Sequence, residues 1–256
     1  MCRMPVVAGF NITPMKSTAL QQPEAIDLRA EGTVGDRRFI CARSTGERVT
    51  GISKASLMPI RSRWDSGEDQ LELVLGDARV EASADGGGER IDVHLFDRAV
   101  PARRVDDGLD AFVREVAGDD TLSLWRVDEP EYGGGAHRVS VVSRASVADV
   151  GGHTGDERLD PRRFRMLIEV DGVEPYEEDT WQSKRLRFGE AIVLMGDRMP
   201  RCVMTTLDPD SGVQNAPVLK ALAEYRKVGT ELLLGVYGDV EQPGVIRIGD
   251  PVEVLG

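Results

Sequence analysis

The stretch Met199-Pro200-Arg201-Cys202-Val203-Met204-Thr205-Thr206-Leu207-Asp208-Pro209-Asp210-Ser211-Gly212 decides how this sequence is read. A cysteine directly follows an arginine and precedes a pair of threonines and an Asp-Pro-Asp-Ser-Gly run. A guanidinium beside a thiol favours the thiolate, the form that binds metals and attacks electrophiles. Asp208-Pro209, with Gly212 behind them, reads as a rigid turn that ends a strand carrying Cys202. On composition alone, a lone cysteine in an apolar strand is a small core residue. The weight given to Cys202 therefore depends on its surroundings.

Downstream, Leu219, Leu222 and Tyr225 share one face and predict a helix over residues 220–227. Residues 232–237, 245–248 and 251–255 read as strands separated by Gly244 and Gly249-Asp250. Upstream, residues 139–142, 165–170 and 191–195 read as strands, with a helix start at 146–150. The segment 129–135 is the most loop-like in the chain, and the subdomain boundary is placed there. Before it, strands are predicted at 6–12, 37–42, 56–64, 71–75, 91–96 and 122–127. Leu109, Phe112, Val113 and Val116 recur at helical spacing over 109–117, and Gly118 is the stop signal. Many short strands with few helices predict a mainly β (α+β) fold, a barrel or sandwich with α insertions, and not a doubly wound α/β sheet. The division expected is 1–128 and 136–256.

The chain has 256 residues, of which 41% are hydrophobic, enough for a real core and too many for global disorder. No run approaches the ~20 apolar residues of a membrane span. Residues 1–16 hold Pro5, Pro14 and two basic residues without an apolar h-region, so no secretory signal is expected. The expectation is a soluble cytoplasmic protein. A net charge of -12 argues against nucleic-acid or anionic-membrane partners, which are bound through clustered Lys and Arg. Cys2, Cys41 and Cys202 cannot all pair, and no two make a C-x-x-C motif. The three histidines are too scattered for an ordinary histidine metal site, which leaves a lone thiolate as the expected protein ligand of any metal. Gly133-Gly134-Gly135 is not a P-loop, since no Gly-Lys-Ser/Thr follows. Glu177-Glu178-Asp179 is read as a solvated or capping cluster.

The C-terminal half resembles the MOSC domain, named for the C-terminal domain of molybdenum-cofactor sulfurases. The matching pieces are Arg163-Phe164-Arg165, Tyr176 to Trp181, the Arg201 to Gly212 stretch, Leu219 to Arg226, Gly235-Val236-Tyr237 and Gly249 to Val252. The first third is similar to the β-barrel domain preceding MOSC in the mitochondrial amidoxime-reducing component and its bacterial relatives. Pro14-Met15-Lys16-Ser17, Gly35-Asp36-Arg37-Arg38-Phe39, Gly46 to Val49-Thr50 and Leu57 to Ile60 carry that match. The resemblance implies a MOSC β-barrel preceded by a smaller barrel-like N-terminal subdomain, with a molybdenum cofactor held in the cleft between them. It implies that Cys202 gives its thiolate to the metal, which makes it both the metal ligand and the catalytic residue. By the same match, Lys16, Ser17 and Arg37 hold the phosphate and pterin, and Arg165 and Arg201 are two further cofactor-side arginines.

Each has a plainer reading without the resemblance. Lys16 would be a solvated loop lysine, Asp36-Arg37 a surface pair worth about 0–1 kcal/mol, and Arg165 a strand-edge charge. The chain also departs from the family pattern. Arg165-Met166-Leu167 replaces Arg-Pro-Asn, so Leu167 stands where a cofactor-holding Asn is usual. Thr50-Gly51-Ile52 replaces Thr-Ala-Arg, and His137-Arg138-Val139 replaces Ser-Pro-Phe. Either Arg138 or His137 compensates, or the pocket is altered.

The implied activity is reduction of N-hydroxylated compounds by oxygen-atom abstraction. Three cysteines do not make a four-cysteine iron–sulfur site, so electrons are expected from a separate ferredoxin- or cytochrome b5-like partner with its reductase. Two alternatives stay open: sulfur transfer through a Cys202 persulfide, and carriage of the molybdenum cofactor to another enzyme.

Overall fold

The computed structural model describes residues 4–85, 87–95, 98–128 and 137–255. The expected boundary at 129–135 lies outside the described residues.

The largest sheet has eight strands. Its path runs Val6–Phe10, Ile168–Asp171, Val139–Ser143, Glu231–Gln242, Ala191–Pro200, Arg185–Phe188 and Val252–Leu255, with Lys227–Val228 paired to Glu231–Gln242 at the side. The ends of the path nearly meet. The Val7 N–H donates to the Asp250 carbonyl at 2.9 Å, and the Val252 N–H donates to the Pro5 carbonyl at 2.8 Å. An almost closed barrel leaves little sheet edge to protect. Alternation fills it: Ala191, Val193 and Met195 point inward from one strand and meet Phe10, Val141, Ile168, Phe188 and Val236.

Val139–Ser143 and Ile168–Asp171 pair in parallel and so need a crossover, which the helix Arg144–Thr154 supplies. Ser143 caps that helix by accepting the Ser146 N–H at 2.9 Å, and Gly155 ends it in the left-handed region. Fully buried Glu178 accepts the Ser143 N–H at 3.2 Å and the Ser146 hydroxyl at 2.9 Å. Its capping role is the one expected of the acidic cluster. Asp179, by contrast, pairs with Arg226 at 2.5 Å.

A second body lies between residues 39 and 127. Five strands run in the order Arg48–Val49, Phe39–Arg43, Leu122–Val127, Arg98–Arg104 and Arg90–Leu95. A meander of Arg61–Asp65, Gln70–Leu75 and Ala78–Ser83 stands beside them. The helix Asp107–Ala117, capped by Asp106 and stopped by left-handed Gly118, drives Leu109, Phe112 and Val113 into a core with Phe39, Leu57, Leu71 and Leu124.

Strand pairing crosses the division expected at residue 128. Val6–Phe10 covers the free edge of Ile168–Asp171, and Ala25–Arg29 pairs with Gly244–Arg247. The barrel is thus completed by the first thirty or so residues. Several element bounds also differ from expectation, three of them as follows. Arg165 is left-handed (φ 51), so that strand begins at Ile168. Ala55–Leu57 is a 3-10 turn, and the next strand begins at Arg61. The last helix is Val218–Tyr225, followed by a short strand at Lys227–Val228. Among the described residues no helix is long and apolar enough to cross a membrane.

Candidate functional site

The turn after Ile12 is built by buried hydroxyls. Met15 is fully buried and anchors it, and the Thr13 hydroxyl lies 2.8 Å from that of Thr18 and 3.2 Å from that of Ser62. The Thr13 hydroxyl donates to the Met15 carbonyl at 3.0 Å. Half-buried Lys16 is held by its backbone N–H on the Phe39 carbonyl at 2.8 Å, and buried Ser17 sits at φ 71.

Arg37 comes in from the neighbouring turn, also left-handed (φ 49), with its N–H on the Thr13 carbonyl at 2.7 Å. Asp36 is fully buried, accepts the Thr13 N–H at 2.8 Å and pairs with the Arg37 guanidinium. The plainer reading of Asp36-Arg37 as a surface pair is therefore corrected: both side chains are inside. Arg37 Nη2 donates to the Arg165 carbonyl at 2.9 Å, and Arg165 Nη2 donates back to the Thr18 carbonyl at 2.7 Å. Two guanidiniums thus interlock residues 128 and 147 positions apart in sequence. Arg165 caps the 3-10 turn Pro161–Phe164 and is no strand-edge charge.

Cys202 does not lie on a strand as expected: the strand ends at Pro200, and Cys202 leads into the 3-10 turn Val203–Thr206, where its thiol is exposed. Its carbonyl accepts the Thr205 N–H at 3.2 Å and hydroxyl at 3.0 Å. The expected rigid loop follows: the Asp208 carboxylate accepts the Ser211 N–H and hydroxyl, each at 2.9 Å. Arg201 turns the other way. Its guanidinium donates to the Phe164 carbonyl, lies 5.6 Å from the Phe164 ring centre, and puts Nη1 3.0 Å and 3.2 Å from the sulfurs of Met199 and Met166. Arg165 and Arg201 are thereby joined through one turn.

The thiol-bearing turn abuts the second body. A Cβ on Gly212, at φ 72, would stand 2.5 Å from the Ala55 carbonyl oxygen, and one on Gly51 would stand 3.3 Å from the Met204 methyl. The short strand Arg48–Val49 leads into this contact, and the half-buried Arg48 charge acts on both Cys202 and Lys16. Tyr237 is buried, senses Arg201 and Cys202, and stacks on His137 at 4.8 Å.

Electrostatics here is one-sided. Burial, then Arg48, Arg37 and Arg165, holds Lys16 well below the usual lysine range, with Asp36 opposing. Burial, then Arg37, pulls Arg165 down to about 9, and burial pulls Arg201 to about 10. Burial pushes Asp36 up against the pull of Arg37. The guanidiniums stay protonated at neutral pH, so the crowding shows as a demand for an anion. Arg165 Nη1 and Arg201 Nε are moreover buried without a hydrogen-bond partner. Orphaned cationic N–H groups are costly unless a ligand meets them. A phosphate and an oxygen-rich ring fit this donor set. Among the described residues no cluster of three or more His, Cys, Asp or Glu could hold a metal.

The departures noted in sequence are placed as follows. Leu167 is fully buried in the barrel core, Met166 packs its sulfur under Arg201, and Ile52 is 49% exposed. His137 Nδ1 lies 3.1 Å from the Asp239 carboxylate and meets the site through Tyr237. Sequence reasoning did not single out Arg48, Asp36 or Tyr237. All three stand inside motifs that were read for neighbouring residues, Gly46 to Thr50, Gly35 to Phe39 and Gly235 to Tyr237.

Fold and site together define a β-barrel protein with a cluster of basic residues and an exposed thiol. Residues 128–253 belong to the MOSC domain family, whose profile they match. The human protein named mitochondrial amidoxime-reducing component 1 is 34% identical over 125 residues, 45% of this chain and 36% of that one. The chain thus matches about a third of the length of the first such relatives. The Danio rerio protein of the same name is 28% identical over 98% of this chain and 85% of its own length. A molybdenum cofactor sulfurase from Oryza sativa subsp. japonica is 24% identical over 88% of this chain and 31% of its own. Among solved structures, the YUAD protein of Bacillus subtilis is similar over 98% of this chain and 96% of that one, with TM-score 0.48 and 16% identity.

Proposed function

We propose that this chain is a molybdenum-cofactor-dependent reductase of N-hydroxylated compounds that draws electrons from a separate electron-transfer protein. The observation that carries the reading is the clustering of Lys16, Arg37, Arg48 and Arg165, with an orphaned guanidinium nitrogen on each of Arg165 and Arg201, together with the exposed Cys202 thiol that follows Arg201. The relatives' names, amidoxime-reducing component and molybdenum cofactor sulfurase, point the same way. When bound, the cofactor supplies the two-electron redox centre. Cys202 would give a soft thiolate to the metal, which suits such an ion. Lys16, Ser17 and Arg37 would hold the phosphate by charge-assisted hydrogen bonds, and the free donors of Arg165 and Arg201 would meet oxygens of the pterin. Leu167 supplies no polar group there, so Arg165 carries that side of the site.

The test is turnover of a hydroxylamine or an amidoxime, with a reduced dye as electron source, by protein made in a host that synthesises the cofactor. Turnover that disappears in Cys202→Ser supports the reading; turnover unaffected by that change contradicts it. The exposed thiol also suits sulfur transfer. That second reading is favoured by metal-free protein carrying a cyanide-labile sulfur on Cys202.

A further inference from the structure

We propose that Gly51 and Gly212 are positioning residues for the Cys202 thiol: carrying no side chain, they let residues 50–60 of the second body strap the thiol-bearing turn to the basic side of the site. The proposal rests on the reading of Cys202 as the centre of the site.

The strap is fixed along its whole length. It leaves the short strand Arg48–Val49, which pairs with Cys41 and Ala42. The Lys54 N–H and the Ser53 hydroxyl both donate to the Thr50 carbonyl, at 2.9 Å and 3.0 Å. The Lys54 ammonium donates to the Ala117 carbonyl at 3.1 Å, at the end of the helix Asp107–Ala117. Leu57 and Ile60 are fully buried in the core of the second body. The Ile60 carbonyl accepts the Ala19 N–H at 2.9 Å, one residue beyond Thr18, whose own carbonyl holds Arg165. The far end of the strap is thus bonded to the basic side.

Its middle meets the thiol-bearing turn with no room for a side chain. A Cβ on Gly212 would stand 2.5 Å from the Ala55 carbonyl oxygen, a backbone atom that cannot swing aside. One on Gly51 would stand 2.9 Å from Met58 Cγ and 3.3 Å from the methyl of Met204, two residues after Cys202. Both carbon distances fall inside the roughly 3.5–4.0 Å of unstrained contact. The turn keeps its shape through its own bonds, the Thr205 N–H on the Cys202 carbonyl at 3.2 Å and the Leu207 N–H on the Met204 carbonyl at 3.1 Å. The strap fixes where that shape stands. Placement matters because a reacting group shifted by about 1 Å can cost about 100-fold in rate.

The experiment needs no cofactor. In a Cys2→Ser background Cys41 is buried, and alkylation of the exposed Cys202 by iodoacetamide is followed. Gly51→Ala and Gly212→Ala are expected to free the turn and raise the rate about three-fold or more. Gly76→Ala is the control. Gly76 is left-handed (φ 58), as Gly212 is, but a Cβ there meets nothing within 4 Å, so alanine brings the strain without the contact and should leave the rate unchanged. In a double-mutant cycle, Gly51→Ala and Met204→Ala are expected to be non-additive, because both release one contact. Rates for both glycine variants that match Gly76→Ala overturn the proposal, and so does an additive cycle. Should Gly212→Ala fail to fold, Gly51→Ala decides alone, since its nearest neighbours are methionine side chains. In protein carrying the cofactor, Gly51→Ala is expected to lower kcat about ten-fold and leave KM within about two-fold. An unchanged kcat also overturns the proposal. If the proposed reductase activity is absent, turnover fails while the alkylation rates still report on the strap, so the two failures are distinguishable.

Discussion

The candidate site has two unlike sides. On one side, Lys16, Ser17, Asp36, Arg37 and Arg165 are buried or half-buried and tied to backbone carbonyls, and three of them hold left-handed backbone without being glycine. On the other, Cys202 stands exposed at the start of a short turn in ordinary extended backbone. Left-handed conformation in non-glycine residues costs roughly 1–2 kcal/mol each, and it persists only where surrounding bonds dictate it. The difference teaches that the basic side is held in shape by its own hydrogen bonds, whereas the thiol is open to solvent.

The sharpest way to break this contrast is to cut the buried ion pair of the basic side. Asp36→Ala removes one partner of a buried ion pair and should cost about 3–5 kcal/mol, read by urea denaturation. A loss below 1 kcal/mol would mean that the basic side is not a closed network. Cys41 offers a second handle. Burial pushes the Cys41 thiol from about 9 up to about 12. The unfolded chain then releases this proton at lower pH than the folded one, so stability is full below about 9 and falls as pH rises towards about 12. Cys41→Ala should remove that part of the alkaline slope in denaturation curves at pH 8 and pH 11.

Smaller effects refine the picture. Ser143→Ala removes the hydroxyl that caps the crossover helix and should cost about 1 kcal/mol, measured as a shift in melting temperature. Cys202→Ala, at an exposed position, should change stability by no more than about 0.5 kcal/mol. A large loss there would make the thiol a structural residue and erase the contrast between the sides.

Much of the barrel was legible because its strands alternate apolar and polar residues or form apolar runs, as at Val139–Ser143 and Ala191–Pro200. Strands without that signal were missed. Ala78–Ser83 is mostly exposed, and Ala25–Arg29, Arg98–Arg104 and Arg185–Phe188 each carry charges on their outer face. Pairing across residue 128 could not be read from local pattern, since Val6–Phe10 and Ile168–Asp171 meet only through the closure of the barrel. The site divides in the same way. Cys202 and its Asp-Pro turn announce themselves by residue type, and the basic positions came from motif resemblance. The burial of Asp36, the left-handed Arg165 and the approach of Arg48 to the thiol are consequences of tertiary packing that no spacing encodes.

The central claim is the proposal that this site holds a molybdenum–pterin group on the Cys202 sulfur. Elemental and pterin analysis of protein purified from a host able to make the cofactor tests it most directly, with Cys202→Ser prepared in parallel. The account predicts stoichiometric molybdenum and phosphorylated pterin in the native chain, and loss of the metal from the variant. A native protein free of molybdenum, or a variant that keeps it in full, would contradict the account.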